Sequence, residues 1–351
     1  MATAGDLSAL LKISLSVLAS LLYSYFISSK LPKGLPRLLS LLPILYLFTL
    51  LPLLVSSILF AGIVASFITW LASFKLLLFS FDLGPLVSEP PFSFPLFASL
   101  VCFPVRMKQN QPNPVPENPP KPIDSPKLPL NLPTKVLLFA ILTVADEALP
   151  RYLKLCYHCA ALYFFIDVVV GFFNTIVRWS FGIELEEPSN EPYLATSLQD
   201  FWGRRWNILV SNILKLTVFL PVRSAMISRT GRRRSAAVAV FAVFVVSGLM
   251  HELLFYYVNR VAPSWEVTAF FVLQGICVLV EFQLKTAVGD KFRLHWAVSL
   301  PFTLGFTVTT ASWLFFPPVL RNGTVVGLIR ECRAGLELAI VPVMSVFRRP
   351  S

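Results

Sequence analysis

The sequence predicts an all-α, polytopic integral membrane protein with eight or nine membrane-spanning helices. Of its 351 residues, 56% are hydrophobic and only 14% are charged, whereas a soluble domain carries roughly 25% charged residues. Mean hydropathy is +0.70. Apolar runs of about 20 residues, the length needed to cross a bilayer, recur along the chain. Most of the surface is therefore expected to face lipid.

Eight apolar runs approach or reach spanning length, and a ninth is shorter. In chain order they cover residues 7–28, 38–57, 58–79, 132–149, 152–179, 235–257, 267–284 and 294–316, with the shorter run at 336–347. Residues 93–105 are too few to cross a bilayer, so this segment is expected to be re-entrant or interfacial. The first run is long, lacks a basic start and leads into further spans, which argues against a cleaved signal peptide.

A proline-rich linker divides the chain. Residues 106–133 contain nine prolines with polar residues between them, a density that excludes a helix and predicts an extended or disordered cytosolic spacer. We therefore divide the chain into N-terminal transmembrane helices (1–105), the linker (106–133) and a larger C-terminal region (134–351).

Basic residues lie between the apolar runs. The net charge is +11, from 30 Lys and Arg against 19 Asp and Glu. Lys30, Lys33 and Arg37 follow the first run, and arginines 232–234 precede a later one. This placement is typical of cytosolic loops facing anionic lipid, so no nucleic-acid partner is expected. It predicts a lumenal N-terminus and places residues 182–207 and 232–234 in the cytosol.

The cysteines predict neither a disulfide framework nor a metal site. Cys156, His158 and Cys159 lie close together in an apolar run. Zinc sites generally take four ligands from two separated pairs, and the sequence offers no second pair. These residues are expected to pack in the protein interior, with no metal and no bound cofactor.

His251 is the most unusual residue, because it lies inside the apolar run 237–257. An ionisable group at bilayer depth costs about 3 kcal/mol on insertion scales, so it usually faces a polar cavity. Burial favours the neutral ring, which can act as a general base. The alternative is a histidine that only hydrogen-bonds neighbouring helices. Glu252 points about 100° away on an ideal helix and is not automatically its partner.

A second polar cluster, D-F-W-G-R-R-W-N, spans residues 200–207. Asp200 and Arg204 have the i,i+4 spacing of an ion pair on one helical face. Trp202 and Trp206 share that spacing on another face, which predicts an anchor at the level of the lipid headgroups. The simpler interpretation is an aromatic-belt helix whose arginines reach the headgroups. Asn207 follows as a neutral polar group at the edge of an apolar run.

These two clusters closely resemble the plant wax synthase branch of the membrane-bound O-acyltransferase (MBOAT) family. The resemblance rests on D-F-W-G-R-R-W-N and S-G-L-M-H-E-L in this order. Further similarity lies in P-Y-L-A-T-S-L-Q, L-P-K-G-L-P-R and W-L-A-S-F-K-L-L-L-F, so it covers most of the chain. The segment 223–234 departs from the family in being richer in arginine. The resemblance implies an enzyme of the endoplasmic reticulum that esterifies long-chain alcohols or sterols with fatty acyl-CoA.

The resemblance also implies an MBOAT-like fold around a catalytic chamber and assigns roles to two residues. The catalytic histidine of the family maps to His251 and its second polar position to Asn207. Ester formation needs a base for the attacking hydroxyl, which His251 would supply. Asn207 would donate to the thioester oxygen, worth about 3 kcal/mol for an oxyanion donor. Acyl-CoA is expected as a co-substrate.

The arginines of the second cluster are assigned to the acyl donor. Arg204 and Arg205 would pair with the phosphates of CoA, beside Trp202 and Trp206 among the membrane lipids.

The sequence leaves the acceptor and the oligomeric state open: fatty alcohol is expected, with sterol as the alternative. A proton-coupled transporter is the alternative from a different class, but such proteins usually carry several intramembrane carboxylates or inverted repeats. The carboxylates considered for such a pathway are Asp167, Glu281 and Glu252, which lie within predicted spans.

Overall fold

The computed structural model describes residues 4–108, 128–145, 153–288 and 294–347. Within these ranges the regular secondary structure is helical, and β-pairing is confined to one isolated antiparallel bridge between Met107 and Leu185. The all-α prediction is therefore confirmed.

The described chain forms eleven helices that we number in order. They are α1 (Ala4–Phe26), α2 (Leu35–Leu50), α3 (Ile58–Ser80), α4 (Phe94–Cys102), α5 (Leu132–Ala145), α6 (Leu153–Phe181), α7 (Ile208–Asn259), α8 (Glu266–Val288), α9 (Trp296–Phe315), α10 (Pro317–Arg321) and α11 (Thr324–Phe347). Short irregular helical turns connect several of them.

Seven of the helices in the described ranges are long and apolar enough to cross a membrane: α1, α2, α3, α6, α7, α8 and α9. The polytopic architecture is confirmed, with fewer such helices than the predicted eight or nine. The predicted run 132–149 corresponds to α5, which has 14 described residues, and the rest of that run lies largely outside the described residues. The predicted run 336–347 is the second half of α11, whose first half carries Arg330, Glu331 and Arg333.

The helix α4 is too short to cross, as predicted, and a buried lysine holds it in place. Lys75 of α3 has no exposed surface, and its ammonium donates to the carbonyls of Leu100 and Phe103 at 2.6 and 2.7 Å. These carbonyls belong to the C-terminal end of α4, where free acceptors and the helix dipole favour a cation. The lysine is therefore a structural link between α3 and α4.

The long helix α7 consists of two arms. Gly231 has φ +76°, a left-handed conformation that glycine adopts at little cost, and it bends α7 between residues 208–230 and 232–259. We call these the first arm and the second arm. The sequence predicted a span only for residues 235–257, within the second arm.

The described ends of the predicted linker both contact the loop that precedes Leu198. The amide of Lys108 donates to the carbonyl of Glu184 at 3.0 Å, and the amide of Leu128 donates to the carboxylate of Glu191 at 2.7 Å. Residues 109–127 lie outside the described ranges, so the division into three regions stays a prediction. The helix α3, from the N-terminal region, packs against α7.

Candidate active site

A large cavity of about 1380 Å³ lies between α3, α6, α7, α8, α9 and α11. Small-molecule sites usually measure about 300–1,000 Å³, so this chamber has room for more than one extended apolar chain. Aliphatic and aromatic side chains form most of its lining, and both His251 and Asn207 belong to it. Two segments that are distant in sequence therefore meet at one cavity.

The imidazole of His251 is held in one orientation on the second arm of α7. Its Nδ1 lies 2.7 Å from the carbonyl oxygen of Ser247, one turn earlier. A carbonyl can only accept a hydrogen bond, so in the neutral ring Nδ1 carries the proton and Nε2 keeps its lone pair. Within the described residues Nε2 has no hydrogen-bond partner. This is the tautomer that a general base requires.

Three aromatic rings enclose the imidazole. The ring centre of Phe271 lies 4.4 Å away, that of Trp70 lies 5.1 Å away, and that of Phe315 lies 5.8 Å away. They come from α8, α3 and α9, so the base is fixed by three helices besides its own. Trp70 begins the segment W-L-A-S-F-K-L-L-L-F that resembles the family, but nothing in the sequence predicted that Trp70, Phe271 and Phe315 would surround His251.

The helix that carries His251 crosses α8 at very short range. A Cβ added to Gly248 would lie 3.0 Å from the Cα of Thr268, and one added to Gly275 would lie 2.9 Å from the Cβ of Phe244. Such contacts leave no room for larger residues. Glu252 accepts from the amide of Thr268 at 3.2 Å, so it caps α8 and the structure gives it no bond to His251.

The segment with the second polar cluster begins beside the C-terminal half of α8. The carboxylate of Glu281 accepts from the amides of Leu198 and Gln199 at 2.8 and 3.4 Å, and the hydroxyl of Ser197 accepts from the amide of Asp200 at 3.1 Å. Both contacts satisfy amides at a helix start. Residues Phe201–Arg205 then form a π-helical turn.

The π-helical turn changes the predicted ion pair. The carboxylate of Asp200 bonds Nε of Arg205 at 2.6 Å, whereas the sequence predicted a pair with Arg204. Widening the turn brings residues five apart onto one face, where an ordinary helix pairs residues four apart. The predicted pairing of Asp200 with Arg204 is therefore wrong.

The two arginines differ in their surroundings. Arg205 is 9% exposed, and besides Asp200 its guanidinium donates to the carbonyls of Asn190 and Glu191 at 3.3 and 3.1 Å. These bonds fix the preceding loop, which leaves Arg205 poorly placed for the predicted contact with CoA phosphate. Arg204 is exposed and is not part of the chamber lining.

Trp202 and Trp206 are half-buried and pack inside the helix bundle, which differs from the lipid-facing anchors that the sequence predicted. The indole of Trp202 donates to Oε1 of Gln274 at 3.1 Å, and Trp206 stacks on Phe201 with ring centres 5.4 Å apart. Gln274 precedes Glu281 by two helical turns, about 10 Å along α8. The segment therefore descends into the bundle from its anchor at Leu198, and both tryptophans line the chamber.

Asn207 ends this descent and begins α7. Its φ of +22° lies in the positive region where asparagine is several-fold enriched among non-glycine residues. Its Oδ1 accepts from the amide of Val210 at 3.2 Å, which caps the helix and fixes the side chain. The amide NH₂ then remains as a donor on a side chain that lines the chamber, with no hydrogen bond to the described residues. Asn207 can therefore donate to a bound molecule.

Three other basic residues line the chamber. Lys215, Arg232 and Arg233 belong to its lining, are exposed, and form no ion pair with the described residues. Arg232 and Arg233 begin the second arm of α7, next to the bend at Gly231. The sequence singled out this arginine-rich segment without assigning it a role.

Three carboxylates of the described helices, Asp167, Glu252 and Glu281, are engaged in structural contacts. Asp167 is buried and accepts from Lys135 at 2.5 Å, from Ser189 at 3.0 Å and from Tyr163 at 3.2 Å. Glu252 and Glu281 cap helices, as described above. The described ranges, which lack residues 109–127, 146–152 and 289–293, contain no group of three or more His, Cys, Asp or Glu able to hold a metal ion.

Sequence similarity identifies the family of this chain. The sequence model of the family "Membrane bound O-acyl transferase family" matches residues 186–273, which include both Asn207 and His251. The chain is 43% identical over 334 residues to "Probable long-chain-alcohol O-fatty-acyltransferase 1" of Arabidopsis thaliana, covering 94% of this chain and 96% of the relative.

Two further relatives are similar over nearly their full lengths. "Long-chain-alcohol O-fatty-acyltransferase" of Simmondsia chinensis is 40% identical, with 93% of this chain and 94% of the relative covered. "Acyl-CoA--sterol O-acyltransferase 1" of Arabidopsis thaliana is 38% identical, with 91% and 92% covered. These relatives are 38–43% identical over more than 90% of the chain, and the polytopic helical fold agrees with them. This protein therefore belongs to the membrane bound O-acyl transferase family and is an O-acyltransferase.

Proposed function

We propose that the protein transfers a fatty acyl group from acyl-CoA to a long-chain alcohol and so forms a wax ester, with His251 as the general base. The observation that carries this proposal is the free Nε2 of His251 in a mostly apolar chamber. Nδ1 is committed to Ser247, so Nε2 is the ring atom available to take a proton from a bound hydroxyl.

The reaction needs no covalent enzyme intermediate. Nε2 of His251 removes the proton of the alcohol as its oxygen attacks the thioester carbonyl carbon. The carbonyl oxygen becomes negative in the tetrahedral intermediate, and the amide NH₂ of Asn207 donates to it. The carbon–sulfur bond then breaks, and the proton on His251 passes to the departing CoA sulfur. A donor of this kind contributes about 3 kcal/mol to transition-state stability.

The basic residues of the chamber lining are suited to hold the phosphates of CoA. Arg233 precedes His251 by 18 residues of one helix, or about 27 Å. The arm of CoA from its sulfur to its pyrophosphate has thirteen bonds and spans about 16 Å. An arginine side chain that reaches about 6 Å and polar contacts of about 3 Å at each end make up the difference. Assignment of phosphate to Arg204, outside the chamber, stays a prediction.

A fatty alcohol is the acceptor that we favour, and a sterol is the alternative. The chamber offers about 1380 Å³ with few polar groups, which suits two extended hydrocarbon chains that meet end to end at the histidine. Relatives named for long-chain alcohols share up to 43% identity, and the relative named for sterols shares 38%. We also propose residence in the endoplasmic reticulum membrane, among lipids that dissolve both substrates.

The purified protein, reconstituted in phospholipid vesicles, tests the proposal directly. Palmitoyl-CoA labelled in its acyl group would be offered with hexadecanol, a sterol or diacylglycerol. We expect labelled ester with hexadecanol, and a loss of at least about 100-fold in rate for His251→Ala, the low end of a general-base contribution. Near-normal ester synthesis by this variant would exclude His251 as the base, and a preference for the sterol would replace the favoured acceptor.

A further inference from the structure

We infer that Gln274 is a positioning residue that fixes the indole of Trp202 and, through it, the geometry between Asn207 and His251. The inference rests on the proposed function, because its consequence is a change in the rate of acyl transfer. It concerns a residue of α8 that lies outside both polar clusters.

Gln274 is a fully buried amide in the middle of a membrane-spanning helix. Its exposed fraction is 0%. Its Oε1 accepts from the indole nitrogen of Trp202 at 3.1 Å, and its Nε2 donates to the hydroxyl of Thr310 at 2.8 Å. Thr310 in turn donates to the carbonyl of Phe306 at 2.8 Å. An amide buried in hydrocarbon is costly without such partners, so this chain of bonds has one stable arrangement.

Trp202 lies at the junction of the two catalytic segments. Its carbonyl accepts from the hydroxyl of Ser211 at 3.1 Å, in the first turns of the helix that Asn207 caps. On its other side the indole contacts Phe271, with ring centres 5.8 Å apart, and Phe271 lies 4.4 Å from the ring of His251. The indole also contacts the ring of Trp206, the residue before Asn207, with ring centres 6.3 Å apart. A rotation of the indole would therefore disturb the approach to Asn207 through Trp206 and the wall beside the base through Phe271.

The orientation of the Trp202 indole depends on a directional hydrogen bond, because the surrounding ring contacts do not fix the angle of the ring. Trp202 belongs to a π-helical turn, and its indole contacts five aromatic rings, four of them from phenylalanines. Such contacts tolerate several ring angles. The bond to Gln274 links the indole to α8, the helix that crosses closest to His251, and so selects one of these angles.

The test compares Gln274→Leu with Gln283→Leu in the reconstituted, full-length protein. Both variants lose one glutamine of α8, but Gln283 is exposed and lies outside the chamber lining. We expect Gln274→Leu to lower kcat at least about 10-fold, the size of effect that a small misplacement of reacting groups produces. KM for acyl-CoA should stay within about twofold, and Gln283→Leu should retain the wild-type kcat.

Trp202→Phe and the double variant separate positioning from packing. Trp202→Phe removes the indole donor without touching Gln274, and it remains informative if Gln274→Leu fails to fold. Because Gln274→Leu and Trp202→Phe break the same bond, their losses in kcat should be strongly non-additive. The double variant should be about as slow as the slower single variant. Additive losses in kcat, or a kcat of Gln274→Leu within twofold of the wild type, would overturn this inference and leave the proposed function standing. Absence of ester synthesis by the wild type and by Gln283→Leu would overturn the proposed function and the inference with it.

Discussion

The two segments that meet in the chamber are built in opposite ways. The second arm of α7 is a regular helix, and it fixes His251 through a bond to its own preceding turn and through three aromatic rings from other helices. The segment from Leu198 to Asn207 has a π-helical turn and ends in a residue with φ +22°. Its shape is held by polar contacts from elsewhere, chiefly those of Glu281, Gln274 and Asp200.

The difference reflects what a general base and a hydrogen-bond donor each require of the backbone. A base needs one free nitrogen on a rigid support, and a helix supplies that. The donor comes from a segment that enters the chamber lining and turns back into a helix, which a regular helix cannot do. Irregular backbone packed among membrane-spanning helices is stable only where the surrounding protein satisfies its polar groups. The polar contacts of the second segment are therefore part of the site.

The largest effect is expected when the Asn207 amide donor is removed and the contacts that support its segment are left intact. Asn207→Asp keeps an oxygen that caps the helix as well as asparagine does but removes the amide NH₂. We expect kcat to fall about 100-fold, the effect of losing an oxyanion donor, with little change in Tm. Asn207→Gly, which also adopts positive φ, should lose a similar factor without adding a charge. Wild-type kcat in both variants would remove Asn207 from the mechanism.

The support of the irregular segment can be tested with the neighbouring arginines. Arg205→Ala breaks a buried ion pair and should cost about 3 kcal/mol of folding stability, because Asp200 and two carbonyls lose their partner. Arg204→Ala removes the same charge from an exposed side chain and should leave Tm almost unchanged. Thermal unfolding in detergent would measure both. Equal Tm values for the two variants would mean that the Asp200–Arg205 bond does not hold this segment.

The smallest predicted effect concerns which segment binds the acyl donor. In the double variant Arg232→Ala, Arg233→Ala, KM for acyl-CoA should rise about 10-fold, with KM for the alcohol unchanged. The difference should shrink at high salt, because exposed charges are screened. Arg204→Ala serves as the matched loss of charge outside the chamber. If Arg204→Ala raises KM and the double variant does not, the phosphates bind at the irregular segment, as the sequence alone predicted.

The regular parts of the molecule could be predicted from the sequence, and the irregular parts could not. Spans such as α6 and α8 follow from apolar length alone. His251 was identifiable because an ionisable residue within an apolar run is rare. The ion pair of Asp200 was predicted with the wrong arginine, since helical spacing was assumed where the backbone forms a π-helical turn. That turn depends on contacts from α8, which local sequence does not encode.

The packing of Trp202 and Trp206 inside the bundle could not be predicted from the sequence either. Trp202 and Trp206 have the spacing and composition of an interfacial anchor, and only the contact with Gln274 shows that the segment descends into the bundle. Gln274 itself is one polar residue in an apolar run and resembles ordinary interhelical bonding. Trp70 begins one of the segments that resemble the family, but its contact with His251 comes from the packing of α3 against α7 and could not be predicted from the sequence.

In the proposed mechanism His251 and Asn207 act on one thioester within the chamber. A structure of the reconstituted protein with a non-transferable acyl-CoA analogue would show whether they do. We expect the analogue's carbonyl group to lie within hydrogen-bonding reach, about 3 Å, of the Asn207 amide, with the Nε2 of His251 facing the space where a hydroxyl would attack. The phosphates should lie against Arg232 and Arg233. A carbonyl bound outside the chamber, or on the side of the ring that bears Nδ1, would exclude this mechanism.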